Sequence, residues 1–185
     1  MLKIAITGNI ASGKSQVENI LKEKGYSVYD ADKIAHKILE NIKDFYEYDV
    51  FTNGTIDRKK LGKLVFDNPK IRKKLENIIH PKVKEEILNI FENHKNDSVV
   101  FVSVPLLYEA GFEKLFDKVL IVISNPDIQL ERLMKRNNLS EIDAKKRINA
   151  QSNIQEKIRK ADFVIENNGT IDDLKTKVEN FLQKV

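Results

Sequence analysis

The sequence predicts an α/β fold: a five-stranded parallel sheet flanked by helices, doubly wound, carrying a helical insertion. Three observations support this. Short β-rich runs alternate with amphipathic helical segments along the chain. A glycine-bearing turn joins the first such run to the first helix. The 185 residues are 41% hydrophobic and 32% charged with only seven Gly and four Pro, which suits one globular unit with a real core.

Taken in order, Leu2–Thr7 is a mostly apolar, β-branched run ending at Gly8, the pattern of a buried parallel strand. Val17, Ile20 and Leu21 then recur at helical spacing up to Gly25, and Tyr26–Tyr29 makes a second strand that ends at Asp30. Helical periodicity resumes in Ile34, Ala35, Ile38 and Leu39. From about Ile42 to Asn96 the alternation stops, and the stretch reads as all-helical. There Asp57 caps a helix carrying Leu61, Leu64 and Val65, and Ile71, Leu75 and Ile78 mark a second. Pro81 opens a third helix with Ile87, Leu88 and Phe91. Ser98–Val104 and Lys118–Ile123 are continuous β-rich runs stopped by Pro105 and by Asn125-Pro126. A helix from about Asp127 to Arg136 follows, then a break at Asn137-Asn138 and further helix through Gln151. A fifth strand at Asp162–Ile165 and a terminal helix with Leu174, Val178, Phe181 and Leu182 complete the chain.

Composition removes several function classes. With no Cys there are no disulfides, thiolate metal sites or Cys nucleophiles, which fits a reducing compartment. The longest apolar runs are too short to cross a bilayer and the first residues show no signal-peptide pattern, so a cytoplasmic protein without membrane partner is expected. The 32 basic and 28 acidic residues leave a net charge of +4, a mild preference for anions. The basic patch with interleaved aromatics of a nucleic-acid binder is not evident, so no nucleic-acid partner is expected. Oligomeric state has no signature in the sequence.

Gly8-Asn9-Ile10-Ala11-Ser12-Gly13-Lys14-Ser15 matches G-x-x-x-x-G-K-S/T in full, between a predicted strand and a predicted helix. Glycines let the backbone curl so that successive N–H groups face phosphate oxygens, and the helix N-terminus adds its positive end. Lys14 supplies a mobile charge and Ser15 a ligand for Mg²⁺, so a nucleotide-binding P-loop is predicted. The D-x-x-G and N-K-x-D elements of a GTPase are not suitably placed. The acid that a motor-type ATPase sets at a strand end is also missing, since one central strand runs into Pro105 and the other into Ser124. Small-molecule kinases pass this filter.

Asp30 and Asp32 follow the second strand, at the sheet edge that carries the P-loop. Either both cap the next helix, or one caps it while the other meets an acceptor hydroxyl. His36, His80 and His94 have no companion at metal-ligand spacing. Arg132 and Arg136 share one helix side, and Asp143, Arg147 and Gln151 form a second ladder beyond the break. Such stripes are either solvated surface or a lid that brings charge onto transferring phosphates.

These pieces together resemble the dephospho-CoA kinase family over nearly the whole chain. The marks are the Gly8–Ser15 loop, Asp30-Ala31-Asp32 with Ile34-Ala35-His36, Gly54-Thr55-Ile56-Asp57-Arg58 leading to Leu61, and His80-Pro81. Val104-Pro105-Leu106-Leu107-Tyr108-Glu109, then Arg132, Arg136, Arg147 with Gln151, and Ala161-Asp162 with Ile165-Glu166-Asn167-Asn168-Gly169 follow in the family's order. The chain departs from the pattern at Asn9 and Ala11, where Gly is frequent, and at Gln16, where Thr is common. The resemblance implies a P-loop kinase that phosphorylates the ribose 3′-hydroxyl of dephospho-CoA with ATP and Mg²⁺, the last step of CoA biosynthesis. It implies a nucleotide-binding core at residues 1–42 and 97–185 with a lid at about 137–152, and an acceptor-binding insertion at 43–96. Asp32 would face the acceptor hydroxyl, while Lys14, Arg132 and Arg136 would stabilise phosphoryl charge. Residues Gly8–Gln16 would hold the phosphates, Asn167, Asn168 and Gly169 would lie beside the adenine, and Arg58, His80 and Glu109 would help form the acceptor side. The rival readings are another small-metabolite or nucleoside monophosphate kinase and a non-catalytic ATP-binding regulatory module.

Overall fold

The computed structural model describes residues 1–42, 45, 47–52, 54–151 and 153–185. In chain order its elements are β1 (Leu2–Thr7), α1 (Lys14–Glu23), β2 (Ser27–Asp30), α2 (Ala31–Glu40), β3 (Phe51–Thr52), β4 (Thr55–Ile56), α3 (Arg58–Asp67) and α4 (Pro69–Asn93). There follow β5 (Val99–Ser103), a 3-10 turn at Glu113–Leu115, β6 (Lys118–Ile123), α5 (Pro126–Asn137), α6 (Glu141–Asn149), α7 (Ile154–Lys160), β7 (Phe163–Glu166) and α8 (Ile171–Leu182). Two compact units result, one of Met1–Tyr29 with His94–Val185 and one of Asp30–Asn93. The insertion expected to begin at residue 43 and the lid expected to end at residue 152 have those limits outside the described residues.

The first unit is built on the predicted five-stranded parallel sheet, in the order β2-β5-β1-β6-β7 among the described residues. β1 lies between β5 and β6, with Ile6 opposite Ser103 and Leu120. Ile4, Ile6, Phe101, Leu120, Val122 and Ile165 of the sheet share one core with Val17, Ile20 and Leu21 of α1 and Leu174, Val178 and Phe181 of α8. The Phe181 ring meets Phe163 edge-on at 5.1 Å and Phe101 at 6.2 Å. Each such side chain contributes about 1.5–3 kcal/mol on burial, which holds the P-loop strand rigidly in the middle of the sheet. The chain leaves this unit at Tyr29 and re-enters at His94, and these two side chains hydrogen-bond to each other. His94 Nδ1 and Ser27 Oγ lie 2.8 and 3.0 Å from the same Asp97 oxygen, which lowers the Asp97 pKa.

In the second unit α4 packs against both α2 and α3. Asp57 caps α3 as expected, its carboxylate accepting the N–H groups of Lys59 and Lys60. Two expectations are corrected here. The segment is not all-helical, because β3 and β4 form an antiparallel hairpin, Phe51 opposite Ile56, with Gly54 at φ +78° in its turn. Strands of two residues are too short to show alternation. The chain also does not break at His80-Pro81: α4 runs 25 residues with Pro81 inside it. Proline loses an N–H and crowds the preceding turn, which argues for a break, yet Ile79, Val83, Ile87, Ile90 and Phe91 keep the helix buried across that point. In the first unit, α7 is a further helix beyond those expected, capped by Asn153 and too short for a clear period.

Candidate active site

β1 delivers the chain to Gly8, and Gly8–Gln16 turn it into α1. A Cβ on Gly8 would stand 2.3 Å from the Val122 carbonyl oxygen, and one on Gly13 would stand 1.9 Å from Asn167 Nδ2. Both motif glycines therefore answer to close packing, and Gly13 also takes φ +90°. Gly13 is the N-cap of α1, and no described side chain caps that helix, so its first N–H groups suit an anion. Ala11 sits at φ +58°, a conformation that glycine adopts without strain.

Distant residues hold this loop. Ile10 donates its N–H to Gln151 Oε1 at 2.7 Å and accepts from Gln129 Nε2 at 2.7 Å. Asn167, 3% exposed, donates through Nδ2 to the Ser12 carbonyl at 3.0 Å and to Gln16 Oε1 at 3.1 Å. Arg132 Nη1 donates to the Asn167 carbonyl at 2.9 Å, and the Asn168 side chain pairs with Asn125. Lys14 Nζ donates to Ser103 Oγ at 2.6 Å and to Glu18 Oε1 at 3.1 Å, while Ser103 Oγ donates to that same carboxylate at 2.6 Å.

Beside the loop is a cavity of about 210 Å³, lined among others by Asn9, Ser12, Ser124, Pro126, Ile154 and Asn168. Asn9 Oδ1, Ser12 Oγ and Ser124 Oγ are buried there without a hydrogen-bond partner among the described residues. A buried polar atom left unpaired costs about 1–3 kcal/mol, so three around one cavity suit a ligand that supplies partners. These atoms, the glycine cradle and the uncapped helix start fit a nucleoside triphosphate. Ser15, exposed at the start of α1, offers a hydroxyl to a cation, and no cluster of three His, Asp or Glu among the described residues offers a closed metal site.

The structure thus brings together the P-loop, Lys14, Ser15, Gln16, Arg132, Asn167 and Asn168. Gly169 adjoins this group at the start of α8, where a Cβ would meet Asp173 Oδ2 at 2.4 Å. Arg136 is exposed and donates to Asn137 Oδ1, and Arg147 is exposed on α6. Glu109 is ion-paired at 2.8 Å with Lys157 of α7, which is itself only 3% exposed. Next to it the Tyr108 hydroxyl is buried, and burial followed by the charges of Asp162 and Glu113 raises its pKa. Asp32, Arg58 and His80 belong to the second unit. Asp30 is the N-cap of α2, accepting from the N–H groups of Asp32 and Lys33, while the Asp32 side chain is exposed in the first turn. Arg58 opens α3, and His80 is half-buried within α4.

Residues 2–173 match the family model described as dephospho-CoA kinase. The chain belongs to the dephospho-CoA kinase family. Dephospho-CoA kinase from Fusobacterium nucleatum is 46% identical over 98% of this chain and 97% of its own length, and that from Listeria monocytogenes is 39% identical over 98% and 96%. The solved dephospho-CoA kinase of Campylobacter jejuni superposes with a TM-score of 0.77 at 35% identity, covering 98% of this chain and 96% of that one. Shikimate kinase from Bacteroides thetaiotaomicron, 14% identical with a TM-score of 0.57 over 98% of both chains, shares the fold. Within this dephospho-CoA kinase family member, Glu18, Ser103, Gln129 and Lys157 are site neighbours that sequence reading did not single out. For Glu18 a signal existed, since it stands four residues after Lys14 on the same helix.

Proposed function

We propose that this chain transfers the γ-phosphoryl group of ATP to the ribose 3′-hydroxyl of dephospho-CoA, giving CoA and ADP in the last step of CoA biosynthesis. The observation that carries the reading is the intact P-loop with Lys14 poised in it, in a chain of the dephospho-CoA kinase family. Loop N–H groups and the α1 N-terminus bind the phosphates, and Ser12 and Asn9 supply the buried partners noted above. The purine occupies the cavity beside Asn168, with Ile154 as its apolar wall. Ser15 would hold the Mg²⁺ that accompanies ATP, which would supply charge neutralisation to the phosphates.

The residues themselves orient and stabilise. Lys14 exchanges its present partners for phosphate oxygens, and Arg132 and Arg136 place guanidinium charge on the transferring group. Asp32 orients the 3′-hydroxyl. Because such transfers are largely dissociative, positioning matters more than strong proton abstraction. The second unit binds the acceptor with Arg58 and His80, joined by Glu109, and the segment around α6 serves as the lid that excludes water. The enzyme acts in the cytoplasm on small molecules, without nucleic acid.

Incubation with ATP, Mg²⁺ and dephospho-CoA, with mass-spectrometric detection of CoA, tests the reading. Parallel arms with nucleoside monophosphates or shikimate as acceptor discriminate the kinase alternatives. ATP binding with no acceptor-dependent ADP formation in any arm would leave a regulatory module instead.

A further inference from the structure

Motor-type P-loop ATPases pair the loop Ser or Thr with a strand-end carboxylate that helps hold the metal. This chain has the Ser, but neither neighbour of the P-loop strand ends in an acid. β5 ends at Ser103 and β6 at Ile123 followed by Ser124. A carboxylate is nevertheless present, delivered by α1. Glu18 has a side chain only 8% exposed and lies against the end of β5, accepting from Ser103 Oγ at 2.6 Å. It is one helical turn from Ser15 and Lys14, at i+3 and i+4, so all three line one side of the helix.

We propose that Glu18, tethered by Ser103, is the acidic group of the metal centre, accepting hydrogen bonds from the waters of the Mg²⁺ that accompanies ATP at Ser15. This rests on the ATP-kinase reading and names a residue for it. The argument is one of charge balance. A carboxylate this buried costs several kcal/mol unless a positive partner faces it, and that partner is now Lys14 at 3.1 Å. When the phosphates draw Lys14 onto themselves, Glu18 is left without its countercharge. A hydrated Mg²⁺ keeps several waters, each able to donate to a carboxylate, and restores the balance from the Ser15 side. The pair adds little to the helix itself, because Lys preceding Glu by four residues is the weaker orientation. Glu18 is thus a metal-positioning residue, and Ser103 fills the strand-end place from which it is aimed.

The test is calorimetric ATP binding with EDTA and then with Mg²⁺, together with Mn²⁺ binding followed by electron paramagnetic resonance in the presence of ATP. In Glu18→Gln, metal-free ATP affinity is expected to stay or tighten, since Lys14 is released. The tightening that Mg²⁺ confers should fall roughly 10- to 100-fold, the weight of a charge-assisted hydrogen bond, with weaker Mn²⁺ retention. Glu18→Gln combined with Ser103→Asp returns a carboxylate to the same spot and should recover most of that metal effect. It also serves as the readout if the single variant does not fold. Full metal effect in Glu18→Gln, or a double variant that folds without metal coupling, overturns the proposal. Wild-type protein that binds no ATP with or without metal would instead overturn the kinase reading itself.

Discussion

Ala11 and Arg132 carry distinct loads in the site. Ala11 takes a left-handed backbone that costs an L-residue roughly 1–2 kcal/mol, at a position where glycine adopts it freely. Ala11→Gly is therefore expected to raise stability by about 1 kcal/mol in urea unfolding, less the extra entropy glycine loses on folding. A destabilised variant would show that the methyl group packs usefully. Arg132 already touches the loop's support through the Asn167 carbonyl. Arg132→Ala should lower turnover by about 10³-fold if the guanidinium reaches the transferring phosphoryl group, with a stability loss near 1 kcal/mol for the hydrogen bond. Arg132→Lys should recover little, because an ammonium lacks the planar fork. Steady-state kinetics beside thermal unfolding separates the two effects, and turnover unchanged in both variants would return Arg132 to scaffold.

Among the elements, α4 holds Pro81 in its interior, where proline costs about 3 kcal/mol relative to alanine, offset in part by its stiffening of the unfolded chain. Pro81→Ala is expected to stabilise the protein by about 1–2 kcal/mol in denaturant unfolding. No gain would mean that the helix already relieves the clash. The start of β6 is tied to the entry of β7 through Asp162, which accepts from Lys118 Nζ at 2.9 Å and from the Val119 N–H at 2.8 Å. Burial pushes the Asp162 pKa up, but Lys118 and that N–H outweigh it, so the folded value lies below the ordinary one. A depressed carboxyl stabilises the fold above its unfolded pKa, near 3.9, and that contribution is lost as pH falls through the folded value. The stability difference between wild type and Asp162→Asn should thus be steady near neutrality and shrink below about pH 4. A difference independent of pH would assign the effect to shape and not to charge.

For the whole molecule, a ligand that binds only the folded state stabilises it by mass action. MgATP at 100 times its Kd should raise the thermal midpoint of wild type by about 5–10 °C, and Lys14→Ala, which starts from a lower midpoint because Glu18 loses its countercharge, should lose most of that shift. An equal shift in the variant would remove Lys14 from phosphate binding. The sequence alone was enough for the sheet, α1 and the glycine turn that joins β1 to α1. Gly8, Gly13, Lys14 and Ser15 lie close together in one stretch of chain, so a spacing rule captures the motif, and buried parallel strands announce themselves as apolar runs. It was enough, too, for the cap at Asp57, a three-residue interaction. It did not reveal the β3–β4 hairpin or the continuity of α4, because two-residue strands carry no period and a helix through proline depends on the burial of its neighbours. Nor did it pair Glu18 with Ser103, 85 residues away, or set Asn167 beneath Ser12, 155 residues away. Local chemistry is written in consecutive residues, whereas the partners that hold Lys14 and the loop meet only because parallel strands bring their carboxyl ends to one edge, and that meeting is a property of the tertiary structure.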